Sequence, residues 1–155
     1  MITIKGKSSL AEALIMDELQ RRGFIVEAKQ EDQAPAREIE NILKDVKGPL
    51  FLSISVSACE EADNLFGNRW SSKSIYINEP ETATSVNDVK IKNGKAVVNV
   101  EVGGTDENDN YYYADLDVSF KIPEDISQLK NKAFVDKEYA AKGEMEVKKL
   151  KLGRG

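Results

Sequence analysis

The pattern of hydrophobic and polar positions changes near residue 57. Before that point, apolar positions spaced three or four residues apart alternate with short apolar runs, which predicts helices and strands in turn. Gly48-Pro49 is expected to end the second helix. In order, the predicted elements are an edge strand at residues 2–5, a helix over 9–19, a strand at 24–26, a helix opened by Pro35 and a buried strand at 50–56. This part of the chain therefore predicts a β-α-β-α-β unit.

Beyond residue 57 the pattern favours antiparallel strands. Residues 89–92 and 95–102 flank Asn93-Gly94, a pair suited to the positive φ angles of a type I′ turn, and this predicts a hairpin. After a polar loop at 103–110, residues 111–122 alternate along one strand whose apolar face runs from Ala114 to Ile122. Residues 70–77 also alternate, and residues 123–125 begin a short helix. The pattern at 133–152 fits either a last hairpin or partly a helix.

Together the two parts predict an α+β fold, in which the N-terminal β-α-β-α-β unit packs with a C-terminal antiparallel β-meander. Because neither residues 1–57 nor residues 58–155 alone would bury much apolar surface, we expect a single domain over residues 1–155. The length of 155 residues suits one domain, and a hydrophobic fraction of 41% is enough for a core without disulfides or metals.

Composition narrows the chemistry that is open to the chain. There is no histidine, and the one cysteine, Cys59, precedes Glu60 and Glu61, whose carboxylates disfavour a reactive thiolate. We therefore expect no catalytic residues, no cofactor and no metal. The first residues do not resemble a secretion signal, and no apolar run is long enough to span a membrane, so we expect a cytoplasmic protein.

Short motifs match the beginning or end of known sites and then fail. Gly6-Lys7-Ser8 matches the end of a phosphate-binding loop, but the glycine that should open the loop is missing. Asp106, Asn108 and Asn110 match the first three ligands of a calcium loop, but Tyr111 stands where glycine is needed. Structural turns and caps explain both segments better than ligand sites.

Charge is unevenly distributed along the chain, whose net charge is -5. Residues 58–125 carry 14 acidic and 6 basic side chains, whereas residues 126–155 carry 8 basic and 4 acidic ones. Such a separation can steer a charged partner or promote head-to-tail self-association. An ordinary solvated surface is the alternative.

The strand predicted at 111–122 carries the feature most typical of a binding surface. Tyr111, Tyr113, Asp115 and Asp117 alternate with the apolar positions, so we expect them on the solvent-exposed face. Tyrosine is enriched in protein interfaces, and the carboxylates would be met by lysine or arginine of a partner. Glu101, with Asn99 on the opposing strand, extends this surface, and Asp106 and Asp109 in the polar loop complete the expected partner-binding set. The alternative is a solvated strand with aromatic cross-strand pairing.

Three functions follow from these observations. The first is a non-enzymatic protein-binding module, an inhibitor, adaptor or assembly component, whose partner is another protein with a basic surface. Such a chain is compatible with a viral or mobile-element accessory protein, and a homo-oligomer is also open. The second is a nucleic-acid or small-anion binder that uses the C-terminal lysines, although the negative net charge disfavours nucleic acid. The third is a metal-dependent hydrolase or nuclease built from carboxylates. We expect no membrane partner.

Overall fold

The described residues contain one antiparallel sheet whose strands follow the order β1-β2-β3-β4. The computed structural model describes residues 32–71, 74–140 and 144–155, all within the compact unit that starts at Asp32. The strands are β1 (Thr84–Lys92), β2 (Lys95–Thr105), β3 (Tyr111–Lys121) and β4 (Glu146–Arg154). The elements predicted before residue 32, and the Gly6-Lys7-Ser8 motif, lie outside the described residues. The α+β class is confirmed, with sheet and helices in one unit.

The first described helix, α1 (Ala34–Leu43), begins at the position that Pro35 predicted. Proline is favoured in the first turn of a helix because its missing N–H would have no partner there. Ala36, Ile39 and Leu43 are buried and lie on one face of the helix. Val46 lies beyond the end of the helix and is exposed.

The prediction of a strand at residues 50–56 is wrong, because this segment belongs to a second helix, α2 (Pro49–Arg69). Gly48-Pro49 does not end the preceding helix, which already ends at Leu43; the pair instead begins α2, with Gly48 as N-cap and Pro49 at the first helical position. A short apolar run fits a buried strand or a buried helix equally well, and the helical repeat of α2 becomes visible only beyond Val56. The buried positions are Leu50, Phe51, Ile54, Ser55, Ala58, Cys59, Ala62 and Phe66. The β-α-β-α-β order is corrected accordingly.

The hairpin predicted around Asn93-Gly94 is confirmed. Asn93 has φ 54° and Gly94 has φ 75°, which are the positive angles that a two-residue turn of this kind needs. The strands are longer than predicted, since β1 begins at Thr84 and contains a register shift between Val86 and Asp88. This irregularity interrupts the alternation that would have revealed the whole strand.

The inner face of the sheet is apolar and packs against the helices. Every second residue of β2 and β3 is buried, as the alternation predicted, and α2 contacts all four strands. Burying such side chains contributes about 1.5–3 kcal/mol each to the hydrophobic driving force. The inner face of the two central strands consists of Ala96, Val98, Val100, Val102, Tyr112, Ala114, Leu116, Val118 and Phe120.

Helical turns follow β3 and lead into β4, so the helical alternative for residues 133–152 holds for the first part of that range. A short helix, α3 (Pro80–Ala83), precedes β1. After β3, a 3-10 helix (Ile126–Lys130) is capped by Asp125, and α4 (Lys132–Val135) is followed by a π-helical turn (Asp136–Ala140). Tyr139 is buried, and its hydroxyl donates to the Lys121 carbonyl oxygen at 2.7 Å. Burial, with smaller contributions from Glu138 and Glu144, raises the pKa of Tyr139 to about 12.

The side of β1 that faces away from β2 is contacted by α1 and by Gln33, the residue that precedes α1. The Gln33 side-chain amide accepts from the Ile91 N–H at 3.0 Å and donates to the Ile91 carbonyl at 3.3 Å. The N–H and C=O groups of Ile91 therefore point away from β2. The Gln33 side chain forms the two hydrogen bonds with them that a neighbouring strand would otherwise form. Among the described helices, none is long and apolar enough to cross a membrane.

Candidate functional site

The outer face of the sheet brings together most of the residues that the sequence singled out. In an antiparallel sheet, paired residues present their side chains on the same face, so the pairing defines rows across the strands. From one end to the other, these rows are Thr105 with Tyr111; Gly103, Tyr113 and Gly153; Ser85, Glu101, Asp115 and Lys151; Asp88, Asn99, Asp117 and Lys148; Lys90, Val97, Ser119 and Glu146; and Lys92, Lys95 and Lys121. The outer face therefore has an aromatic end, an acidic middle and a basic end.

At the aromatic end, two tyrosine rings lie flat on the sheet. The rings of Tyr111 and Tyr113 are 6.4 Å apart between centroids with an interplanar angle of 23°. A Cβ atom added to Gly103 would lie 2.6 Å from the Tyr111 hydroxyl oxygen, and one added to Gly153 would lie 2.3 Å from the Tyr113 ring carbon Cζ. The glycines thus leave the space in which the rings lie against the backbone of β2 and β4.

A third tyrosine extends the aromatic end beyond the sheet. Tyr76 forms an isolated antiparallel bridge with Thr105, in which the two residues exchange backbone hydrogen bonds of 2.7 and 3.0 Å. The bridge places Tyr76 on the same face as Thr105 and Tyr111. Tyr76 is 60% exposed and Tyr111 is 41% exposed, so this end offers accessible aromatic surface. Among the described residues of the strand expected at 70–77, only Tyr76 pairs with another strand, through this bridge.

Glu101 lies beside the aromatic end. The Tyr111 hydroxyl donates to Glu101 Oε2 at 3.0 Å, which fixes the carboxylate at the edge of the ring. Burial and this carboxylate raise the pKa of Tyr111, so the hydroxyl stays a donor at neutral pH. Glu101 is half-buried and its second carboxylate oxygen remains able to accept.

Asp115 and Asp117 are linked through Asn99. The Asn99 side-chain amide donates to Asp115 Oδ1 at 2.8 Å and to Asp117 Oδ1 at 3.1 Å, while its oxygen accepts from Asn87 at 2.9 Å. This network crosses β1, β2 and β3. It holds the two carboxylates toward the centre of the sheet, on the side away from β4.

The acidic and basic segments of the sequence are neighbours in the sheet. Lys151 pairs with Asp115 and Lys148 pairs with Asp117 in the register of β3 and β4. Among the described residues, no ion pair joins these lysines to these carboxylates. The acidic and basic segments, which are separate in the sequence, therefore lie side by side in the folded unit. Lys142, another lysine of the proposed anion-binding segment, lies outside the described residues.

Asp106 does not belong to the surface on which the sequence placed it. It is 6% exposed, and its carboxylate accepts hydrogen bonds from the Asn108 and Asn110 backbone amides and from the Tyr112 hydroxyl, the last at 2.8 Å. Burial raises the pKa of Asp106, but these hydrogen bonds and one from the Asn110 side chain outweigh it and lower the pKa to about 2. Asp106 therefore organises the β2–β3 loop.

Asp109, the other loop residue of the expected set, is exposed at the tip of the β2–β3 loop. Its φ of 61° is left-handed, and its backbone amide donates to the Asp106 carbonyl at 3.1 Å. The partial calcium motif is thus a turn built around Asp106. Across the described residues, no group of three or more acidic or cysteine side chains is arranged to hold a metal ion.

Cys59 lies on α2 among the core residues. Burial raises the pKa of the Cys59 thiol, and a contact of 3.5 Å with the Thr84 hydroxyl opposes this effect only in part. The thiol is therefore largely protonated at neutral pH. Neighbouring Glu60 is exposed, so its carboxylate lies on the solvent side of the helix.

A groove of about 870 Å³ lies on the opposite side of α2 from the core. Leu52 and Val56 of α2 and Met145 and Val147 near β4 form its apolar part. Charged residues, among them Lys132 with its partner Asp136, also line it. The groove contains no residue of the tyrosine and carboxylate set.

Sequence reasoning missed Tyr76 and the two glycines under the rings. The sequence predicts a loop at Gly103, whereas the structure places Gly103 within β2, where a glycine is a known sign that another group approaches the backbone closely. Gly153 likewise lies within a strand, β4, where it leaves room for the Tyr113 ring. The alternation at residues 70–77 is the only sequence pattern that points to Tyr76, and it does not indicate that Tyr76 would bridge to Thr105.

Comparison of the chain with protein-family models, curated proteins and solved structures gives no match.

Proposed function

We propose that this protein is a non-enzymatic protein-binding module, an inhibitor, adaptor or assembly component that works in the cytoplasm. It binds a protein partner with a basic surface through the outer face of its sheet. The observation that carries the proposal is the row order of that face. Tyr111, Tyr113, Glu101, Asp115 and Asp117 are adjacent and accessible on one side of one sheet.

The chemistry of these residues suits a protein interface. Tyrosine rings supply large and rigid contact area, and the flat rings of Tyr111 and Tyr113 lose little conformational freedom when a partner covers them. The Asn99 network holds Asp115 and Asp117 in place before binding. A prearranged acidic surface favours encounter with a basic partner and makes the association rate depend on salt.

Site-specific photo-crosslinking tests the proposal. Tyr111→p-benzoylphenylalanine places a crosslinker on the outer face, and Asp63→p-benzoylphenylalanine places one on the exposed side of α2. We expect one protein from a lysate of the source cells to crosslink from position 111 and not from position 63. That partner is then purified, and its affinity is measured by calorimetry.

The measured affinity decides the outcome. The double variant Asp115→Ser and Asp117→Ser removes two charges from the face and should weaken binding about two- to tenfold, with the larger effect at low salt. The matched variant Asp63→Asn should leave affinity unchanged. Crosslinks from position 63 alone, or equal affinities for wild type and the double serine variant, would contradict a binding role for this face.

A further inference from the structure

We propose that the aromatic end of the outer face recognises an arginine side chain of an extended protein segment. This inference rests on the proposed function and names the group that is bound. The recognition site consists of the Tyr111 and Tyr113 rings with the Glu101 carboxylate, and Asp115 lies next to it in the same row as Glu101.

The planes of the two rings are nearly parallel, with an interplanar angle of 23°. Each ring lies against a glycine of a neighbouring strand, and Tyr111 is exposed while Tyr113 is half-buried, so both rings offer accessible aromatic surface. The face of an aromatic ring carries negative potential and attracts a cation placed above it. A planar guanidinium matches a planar ring better than a tetrahedral ammonium does, because it stacks over its full area.

Glu101 supplies the charge that the rings lack. The hydrogen bond from the Tyr111 hydroxyl to Glu101 Oε2 places the carboxylate at the hydroxyl edge of that ring. A guanidinium that stacks on Tyr111 and is shifted toward this edge would donate to the remaining carboxylate oxygen while keeping its contact with the ring. Such charge-assisted hydrogen bonds are roughly twice as strong as neutral ones.

The charge pattern of the outer face selects the kind of ligand. Near the rings the rows are acidic, which opposes binding of phosphate groups and therefore of nucleic acid. The lysines of the face are Lys92, Lys95 and Lys121 in the row at its other end, Lys90 in the adjacent row, and Lys148 and Lys151 at the β4 edge. A segment that runs along the strands with arginine at the aromatic end and acidic residues toward the hairpin would complement both ends.

The test compares three synthetic peptides that differ only in the repeated side chain: a Gly-Arg repeat, a Gly-Lys repeat and a Gly-citrulline repeat. Citrulline keeps the shape of arginine and removes its charge. Binding to the intact chain is followed by amide chemical shifts in NMR. We expect shifts at residues 101–113, an affinity for the arginine peptide at least threefold above that for the lysine peptide, and no saturable binding of the citrulline peptide.

Variants then locate the bound group. Tyr111→Leu should weaken arginine-peptide binding about three- to fivefold, whereas Tyr111→Phe, which keeps the ring, should retain most of it. Glu101→Gln should weaken it about two- to fivefold, and the control Asp63→Asn should not change it. Tyr111 is exposed and Glu101 is half-buried, so neither substitution removes a core side chain and we expect each variant to fold. The amide spectrum of each variant verifies this.

The outcomes separate this inference from the proposed function. Equal affinity for the arginine and lysine peptides, with shifts on the outer face, would overturn the arginine preference and leave a basic partner in place. Shifts centred away from the outer face would overturn both. Absence of binding by all three peptides would overturn the arginine site, while the crosslinking experiment decides the proposed function independently.

Discussion

The two faces of the sheet are built from alternate residues of the same strands, yet they differ in almost every physical property. The inner face of β3 carries Leu116, Val118 and Phe120, all fully or almost fully buried. The outer face of the same strand carries Asp115 and Asp117, which are half-buried and hydrogen-bonded to Asn99. Stability therefore depends mainly on one face, and the other face can carry binding residues at little cost to the fold.

The comparison also shows how a charged face is kept ordered. On the inner face, order comes from close packing with the helices. On the outer face it comes from directed contacts, namely the Asn99 amide between two carboxylates and the tyrosine rings over Gly103 and Gly153. Directed contacts hold side chains in position without covering them, which is what a binding surface needs.

The largest expected effect is the loss of a core side chain from the inner face. Leu116→Ala should lower the free energy of unfolding by about 2–5 kcal/mol, because it leaves a cavity between β3 and the helices. Ser119→Ala, on the outer face of the same strand, should change it by about 0.5 kcal/mol or less. Urea denaturation of both variants measures the difference, and similar losses for the two would contradict the division between the faces.

A second effect concerns Asp106, the carboxylate that turns inward. Its pKa is about 2 in the folded state and 3.8 as the reference value, so its ionised form stabilises the fold. This contribution is present above about pH 4 and is lost as the pH falls through 3.8 toward 2. Asp106→Asn should therefore be less stable than wild type at pH 6, and the difference should narrow between pH 4 and pH 2.

Urea midpoints measured at several pH values test this expectation. Asp109→Asn is the matched control, because Asp109 is exposed in the same loop and its side chain makes no comparable set of hydrogen bonds. Its pH profile should run parallel to that of wild type. If Asp106→Asn also ran parallel to wild type, the hydrogen bonds to Asp106 would not stabilise the folded state.

The smallest effect tests the contact between a ring and a glycine on the outer face. Gly153→Ala should destabilise the protein by about 1 kcal/mol, because the added Cβ forces the Tyr113 ring off the sheet. In a Tyr113→Ala background the same change should have almost no effect, which a double-mutant cycle measures. Gly67→Ala on α2, where nothing lies within 4 Å of the added Cβ, should instead stabilise by about 0.5–1 kcal/mol. Additive effects of Gly153→Ala and Tyr113→Ala would rule out the contact.

The sequence predicted the central strands well because a sheet with one buried face imposes a period of two. Asn93-Gly94 also predicted its turn, since few other residue pairs accept two positive φ angles. The sequence misled at residues 50–56, where an apolar run has the same composition whether it forms a buried strand or a buried helix. Only the buried positions beyond Val56 distinguish the two.

The candidate site could be predicted in part. Alternation alone placed Tyr111, Tyr113, Asp115 and Asp117 on one strand face. It could not show that Asp106 turns inward to Tyr112, because that depends on the path of the loop. The pairing of β3 with β4, which brings lysines beside the carboxylates, is a long-range contact that no local pattern encodes.

Gln33 bears on resistance to aggregation. A strand at the border of a sheet is a template for pairing with other chains, and proteins commonly block such borders. At Ile91 the side-chain amide of Gln33 already occupies both backbone groups, so an incoming chain would have to displace it. At the other border, β4 carries exposed Lys148, Lys149 and Lys151, which would repel a second copy of the same strand. Within the part of the chain that the structure describes, edge-to-edge pairing of this sheet with another chain is therefore opposed by the Gln33 hydrogen bonds at one border strand and by like charge at the other.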